Sequence, residues 1–295
     1  QQEVEMAVSK FIPKEYELLG SKTSKLQPIM RSDVDGDGIS EGVAILTPKG
    51  VEGRYDFLIM KRNPKRQWEK WSQFVFRAEE LLSVEMKDVT KDKRSELLIT
   101  VRDKKAKKEK LIIFQLSKNK KRTLLNHAYD QKVIDDFQRD GSYEVILFYV
   151  QRDQKRKTVY TDAEMYDYRD NTFVAVDRVR LEGEAKKGYI HTGKVSPSVR
   201  GILVDLSIGT RGGGTTKLLV PTKSILLQKF DPEKSPYSYK FINEASRDVN
   251  GDGILEFVIL EQPKGTERVS AAHIPYVYNW YQWVKGNERK LVLQV

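Results

Sequence analysis

The sequence of 295 residues contains no cysteine, and its three histidines are far apart. Disulfide scaffolds, zinc sites with thiolate ligands and cysteine nucleophiles are therefore excluded. No uninterrupted apolar run approaches the roughly 18 residues that a membrane-spanning helix requires, and only residues 4–11 suggest a short helix. A disordered chain is also excluded, because 39% of the residues are hydrophobic and 10% are aromatic.

What the sequence does contain is a repeat of roughly 50 residues. Each copy begins with a polar, acidic turn and continues into a short apolar run, such as residues 43–46 or 145–148. Runs of this length, rich in β-branched residues and bounded by turn residues, are typical of buried strands. The copies, of which the fourth is degenerate, start near Asp33, Asp88, Asp136, Gly193 and Asp248.

An all-β chain with three to four strands in each repeat is typical of a β-propeller, in which every repeat forms one blade. We therefore expect a single β-propeller over residues 14–295 with five blades; six or seven blades are the alternative, if poorly marked repeats have been merged. Residues 1–13 are expected to form an N-terminal extension or tether. Aromatic residues that recur after the acidic turns, such as Trp71 and Phe114, are interpreted as packing between blades.

The first and last acidic turns, DVDGDGISE and DVNGDGILE, carry oxygen-bearing side chains at alternate positions. Glycine occupies the positions where the chain must bend sharply. Oxygen donors at this spacing suit Ca²⁺, which takes about 6–8 oxygen ligands. The predicted donors, with backbone carbonyls at the two isoleucines, are Asp33, Asp35, Asp37, Ile39 and Glu41 in the first turn and Asp248, Asn250, Asp252, Ile254 and Glu256 in the last.

An EF-hand does not explain this pattern. Its bidentate glutamate belongs at about the twelfth position of the loop, where this chain has Ala44 or Ile259 inside apolar runs. Amphipathic helices do not flank the turns either. The donor set instead ends at the ninth residue, where a strand is predicted to begin.

These turns resemble the calcium-binding motif of FG-GAP/VCBS repeats, the integrin-α-like β-propeller family, and the resemblance extends over the chain after about residue 14. It implies a calcium ion in the loop between the first two strands of a blade. It also implies an extracellular or cell-surface location, where free calcium is high. Since the chain starts with Gln1, we expect a bacterial secreted protein or lipoprotein whose targeting segment, with a lipid anchor as one option, has been removed.

The two middle turns depart from the family pattern. The second has Thr90 and Lys93 where the family prefers an oxygen ligand and glycine, and the third has Gln138. Fewer carboxylates predict weaker metal binding, and the alternative is an acidic turn closed by its own backbone amides. The remaining donors are Asp88, Asp92 and Glu96 in the second turn, and Asp136, Asp140 and Glu144 in the third. No metal is expected in the fourth turn, which contains Pro197 and Arg200.

Positive charge is concentrated in the turn after the second strand of each repeat. The chain has a net charge of +10, and these turns should lie at the opposite end of each blade from the acidic turns. This pattern predicts a basic face for an anionic partner, which would be a cell-envelope polymer, a membrane surface or an acidic protein. The alternative is that basic tips blunt strand edges and keep the protein soluble. The residues assigned to this face are Lys104, Lys105, Lys107, Lys108, Lys110, Arg152, Lys155, Arg156, Lys157 and Arg211.

Nucleic acid is not favoured as the partner, because the basic turns lack interleaved aromatic residues for base stacking. The sequence therefore predicts a calcium-stabilised, surface-exposed, non-catalytic binding or scaffold protein. The alternative is an enzyme, or an enzyme accessory, that acts on envelope polysaccharide through a cleft on one propeller face. A pocket with convergent carboxylates that bind no metal would favour this alternative.

Overall fold

The computed structural model describes residues 2–19, 26–118, 120–208, 212–229, 240–241, 243–263, 265, 276–286 and 288–295. Within these ranges the chain forms antiparallel strands and one helix, α1 (Gln2–Ser9). The predicted all-β class is therefore confirmed. Contacts divide the chain into two compact units, which comprise residues 1–129, 141–143 and 168–173, and residues 130–140, 144–167 and 174–295.

The first unit contains α1 and two antiparallel sheets. The strands of the first sheet are β1 (Tyr16–Leu18), β2 (Ile29–Ser32), β3 (Glu41–Pro48), β4 (Arg54–Arg62) and β5 (Trp68–Arg77). Those of the second are β6 (Glu80–Lys87), β7 (Glu96–Asp103), β8 (Lys108–Ser117) and β9 (Lys120–Tyr129). Both β1 and β2 pair with β3, and the other neighbours pair in chain order.

Both faces of the first sheet are covered, which explains its continuous apolar runs. On one face Val43 and Ile45 of β3 join a core with Leu97 and Ile99 of β7. The alternate residues of β3 face the other way and pack in a second cluster with α1. Strand β3 is therefore apolar at every core position instead of alternating with polar residues.

Residues 1–13, which the sequence predicts to form an N-terminal extension or tether, include α1, and this helix packs on the first sheet. Val4 and Val8 are both 0% exposed and pack against Ala44 and Leu46 of the first sheet. The helix approaches so closely that a Cβ on Gly42 would lie 2.7 Å from Val4 Cγ1. Glycine at this position gives the helix room to lie on the sheet.

The second unit contains three antiparallel sheets. The strands of the third sheet are β10 (Gln131–Asp135), β11 (Glu144–Asp153), β12 (Thr158–Arg169) and β13 (Thr172–Glu182). The fourth has β14 (Ile190–Lys194), β15 (Arg200–Ser207), β16 (Gly213–Pro221), β17 (Leu226–Lys229) and β18 (Lys240–Phe241), and the fifth has β19 (Phe257–Glu261), β20 (Val277–Lys285) and β21 (Glu288–Gln294). Strands β14 to β17 pair in order, and β18 pairs with β16.

The fourth sheet is also buried on both faces. Ile202 and Val204 of β15 pack with Phe148 of the third sheet, while Leu203 packs with Phe257 of the fifth. Alternate residues of one strand thus belong to two different cores, as in β3. Among the described residues, the strands form five sheets, one for each predicted repeat, but the first strand of each of the first four sheets begins before the predicted start of its repeat.

A buried charged cluster attaches β18 to the fourth sheet. Asp205 Oδ1 accepts hydrogen bonds from Lys240 Nζ at 2.5 Å, from Ser246 Oγ at 2.7 Å and from Thr216 Oγ1 at 2.7 Å. Its Oδ2 accepts one from Ser246 N at 2.7 Å and lies 3.1 Å from His191 Nε2. Asp205 and Lys240 are both 0% exposed. Burial by itself raises the pKa of Asp205, but the hydrogen bond with His191 and the charge of Lys240 lower it well below its usual value.

Candidate metal centres in the acidic turns

The structure places the four acidic turns immediately before β3, β7, β11 and β19. Glu41, Glu96 and Glu144 are the first residues of β3, β7 and β11. Glu256 immediately precedes β19 and forms a bridge with Arg247. The last residue of each donor set is therefore anchored in, or next to, the strand that follows the turn.

The leading aspartate of each strong turn closes the loop through backbone amides. Asp33 accepts hydrogen bonds from Gly36 N and Gly38 N, both at 2.7 Å. Asp248 accepts the equivalent bonds from Gly251 N at 2.6 Å and Gly253 N at 2.8 Å. These four glycines have φ between 78° and 83°, a left-handed conformation that glycine adopts without steric cost.

The second turn has the same backbone although it lacks glycine. Lys91 and Lys93 occupy the equivalent positions with φ of 66° and 68°, and their amides donate to Asp88 at 2.7 and 2.9 Å. The left-handed conformation costs roughly 1–2 kcal/mol for each side chain that adopts it. The loop geometry is thus set by the aspartate and the strands, and glycine only lowers the free-energy cost of the left-handed conformation.

The third turn follows the same course less closely. Arg139 and Gly141 have φ of 56° and 88°, and Asp140 N donates to Asp136 Oδ1 at 3.0 Å. Gln138, which replaces a predicted ligand, donates its side-chain amide to Pro221 O at 2.7 Å. This side chain therefore bonds to the fourth sheet.

Each turn ends with a buried glutamate. Glu41, Glu96 and Glu256 are 0% exposed and Glu144 is 3% exposed. Each accepts a hydrogen bond at 2.7–3.1 Å from the backbone amide that follows the leading aspartate of its own turn. Burial raises the pKa of all four carboxyls, and that of Glu96 and of Glu144 rises to about 7. A buried carboxylate of this kind is stabilised by any cation that approaches it.

The structure brings together three carboxylates in two of the turns. Asp33, Asp35 and Asp37 have oxygens within 4.8 Å of one another, and so do Asp248, Asp252 and Glu256. Within the described ranges, no other acidic turn forms such a cluster. These are the two turns for which the sequence predicts the strongest metal binding, and metal binding itself stays a prediction. The carbonyl ligands at the two isoleucines remain a prediction.

Sequence reasoning missed one side chain in each turn. It comes from the strand that follows, β4, β8, β12 or β20, directly after the residue that pairs with the residue next to the buried glutamate. The residues at this facing position are Lys61, Gln115, Asp167 and Gln282 in the first, second, third and last turns. Only the pairing register identifies them, because the hairpin loops between the two strands differ in length.

The facing residue differs in charge between the two strong turns. Lys61 Nζ bonds Asp35 Oδ2, lies 2.6 Å from Asp37 Oδ2 and is 3.6 Å from Glu41 Oε1. Burial lowers the pKa of Lys61, but the carboxylates more than offset this effect and raise it above its usual value. In the last turn Gln282 Nε2 donates to Asp252 Oδ2 at 2.7 Å and to Glu256 Oε1 at 2.6 Å.

The fit of Ca²⁺ therefore differs between the two strong turns. The last turn combines three negative carboxylates with a neutral amide, which suits a divalent cation. Its donors would be Asp248, Asn250, Asp252 and Glu256. The first turn has a fourth carboxylate, Asp35, at the position of Asn250, but a lysine ammonium is already in contact with its carboxylates.

Consecutive turns within a unit are joined by main-chain hydrogen bonds. In the first unit Ser95 N, from the second turn, donates to Asp33 O at 2.7 Å. In the second unit Leu255 N, from the last turn, donates to Lys194 O at 2.8 Å. Each of these turns is thus fixed to the preceding repeat by backbone atoms.

The predicted basic residues lie at the tips of two hairpins. Those between β7 and β8 or at the start of β8 are Lys104, Lys105, Lys107, Lys108 and Lys110, and those between β11 and β12 or at the end of β11 are Arg152, Lys155, Arg156 and Lys157. Lys108 and Lys110 are half-buried and the others are exposed. Arg211 lies outside the described residues.

Neighbouring carboxylates offset part of this positive charge. Glu79 Oε2 accepts a hydrogen bond from Lys104 N at 2.8 Å, and Glu184 pairs with Arg152 at 2.9 Å. Both glutamates come from other parts of the chain, so a sum over each turn alone overestimates the local charge. The exposed lysines nevertheless form a basic tip on the second sheet.

Comparison with known proteins does not assign a family. No family model matches the chain, and no curated protein matches it. Among solved structures, the crystal structure of an exotype rhamnogalacturonan lyase aligns with 95% of this chain and 68% of its own, at a TM-score of 0.34 and 10% identity. A likeness at this score carries no argument about fold or activity. Of the described helical residues, none belongs to a helix long and apolar enough to span a bilayer.

Proposed function

We propose that the five sheets are the blades of a single β-propeller of the FG-GAP/VCBS type. Two observations support this proposal. A related acidic turn immediately precedes a strand with buried apolar residues in four of the five repeats, and sheets within each unit stack through alternate residues of their inner strands. Blades of a propeller pack in this face-to-face manner.

The last acidic turn is the best calcium site in this proposal. The observation that carries it is the convergence of Asp248, Asp252 and the fully buried Glu256. Bound calcium would neutralise Glu256 and fix the turn against β19. Extracellular calcium modules bind with Kd of about 10⁻⁴–10⁻³ M, so a site of this class is filled outside the cell. We accordingly propose an extracellular or cell-surface protein.

Calcium should stabilise the protein through the last turn. At about 100 times the Kd, ligand binding adds about 2.7 kcal/mol, which corresponds to roughly 5 °C in melting temperature. We expect this rise in the wild type when calcium replaces chelator, and its loss in D248N. The matched control is D153N, because Asp153 also caps a turn through two backbone amides, from Lys155 and Arg156. An equal rise in D248N and D153N would contradict the proposal.

The biochemical role that we propose is non-catalytic binding of an anionic partner by the basic tips. The exposed Lys104, Lys105 and Lys107 lie on one hairpin, which gives a compact positive surface. Such a surface attracts polyanions through long-range, salt-dependent electrostatics. An anionic cell-envelope polymer fits this chemistry together with the proposed location.

Charge reversal at this hairpin should weaken polyanion binding. We expect K104E/K105E/K107E to bind immobilised polyglycerol phosphate roughly 10- to 100-fold less tightly than the wild type at low salt. The control is K10E/K65E/K118E, which changes the net charge equally at exposed lysines elsewhere. Equal losses in both variants would show that only net charge matters, and binding by the basic tip would be rejected.

A further inference from the structure

We infer that Lys61 is the built-in cation of the first acidic turn, so that this turn excludes calcium while the last turn binds it. The inference rests on the proposed calcium function and assigns it to one of the two strong turns. It replaces the sequence-based expectation of a calcium ion in both.

The lysine contacts the side chains that calcium would need. Its ammonium bonds Asp35 and Asp37, the third- and fifth-position ligands of the predicted set. It also lies 3.6 Å from Glu41 Oε1, the ninth-position ligand. The Lys61 side chain is only 21% exposed, so the ammonium is held within the turn instead of extending into solvent.

The glutamate provides a second, independent observation. Glu41 is 0% exposed, and its Oε1 is a buried side-chain oxygen without a hydrogen-bond partner among the described residues. An uncompensated buried carboxylate oxygen is unfavourable, so this atom requires a nearby cation. Lys61 Nζ meets this requirement through its charge. The corresponding oxygen of Glu256 instead accepts a hydrogen bond from Gln282.

The two turns differ in charge at the facing position and at the third position, where the first turn has Asp35 and the last has Asn250. Their leading aspartates, positive-φ glycines and buried glutamates have the same geometry. An ammonium inside a carboxylate frame repels a divalent cation and competes for its ligands, whereas an amide does neither. The charge of the facing residue thus determines whether the carboxylates of the turn bind a metal ion or the lysine ammonium.

Exchanging the facing residues of the two turns tests this assignment, and the measured quantity is the number of calcium ions bound per chain. Metal-free full-length wild type, K61Q and Q282K are titrated with calcium chloride by isothermal calorimetry, and far-ultraviolet circular dichroism monitors their fold. We expect one calcium per wild-type chain, two per K61Q chain and none per Q282K chain. If Q282K does not fold, wild type and K61Q alone decide the question.

The possible results separate the two proposals. One calcium in both wild type and K61Q, or two in the wild type, would overturn the role of Lys61 and leave calcium binding by the chain intact. No calcium in the wild type but one in K61Q would overturn the last turn as a site and support the role of Lys61. No calcium in any variant would overturn both.

Discussion

Replacing Lys240 with methionine should lower the free energy of unfolding by about 3–5 kcal/mol. The reason is that Asp205 would keep its charge in a fully buried position after losing the ammonium at 2.5 Å. Removing one partner of a buried ion pair costs about this much, because the other charge is left uncompensated. Lys240 also donates to Glu244 O at 2.7 Å, so the loop after β18 should loosen as well.

Urea denaturation followed by tryptophan fluorescence measures this loss. K223M is the matched control, since Lys223 is an exposed lysine on the same sheet, and it should change the stability by less than about 1 kcal/mol. D205N and the double variant D205N/K240M complete a cycle that isolates the pair. If K240M were as stable as K223M, the ion pair would contribute nothing to the free energy of unfolding.

In the metal-free protein, the buried glutamates of the second and third turns should make stability fall as the pH rises from about 4.5 to 7. Burial raises the pKa of Glu96 and of Glu144 from 4.5 to about 7. The native state therefore binds more protons than the unfolded state within this window, and ionisation of each group costs about 3 kcal/mol. Below pH 4.5 both states are protonated and the full stability is present.

Glutamine variants isolate this effect from other titrating groups. E96Q and E144Q should match the wild type near pH 4 and exceed its stability by about 3 kcal/mol each at pH 8, in the presence of chelator. The control is E69Q, at an exposed position of β5, which should stay within about 0.5 kcal/mol of wild type throughout. A difference between E96Q and wild type that is the same at both pH values would contradict the assignment.

The strand order and the acidic turns follow from local sequence. Residues 43–46 and 145–148 are predicted as buried strands and lie within β3 and β11, where all eight are buried. The prediction succeeds because both faces of these strands are covered, so that apolar residues are required at every position. The conformation of the turns is equally local, since the hydrogen bonds that close the first turn onto Asp33 and Glu41 join residues at most seven positions apart.

What sequence reasoning misses depends on contacts between distant segments. Helix α1 is short, and its position is determined by its packing on one face of the first sheet. Lys61 reaches the first turn from another strand, at a position that depends on the register of β3 with β4. Glu79 likewise reaches Lys104 across 25 positions of the chain. Neither the composition nor the spacing of motifs in the sequence predicts these contacts.

The hydrogen bond from Ser95 N to Asp33 O, and its counterpart from Leu255 N to Lys194 O, use only main-chain atoms. Any residue except proline can make such a donor bond. The side chains of a turn, and the residue that faces it from the next strand, can therefore change without altering this main-chain link between repeats. The charge of a turn is thus free to vary from one repeat to the next while the spacing of the repeats is preserved.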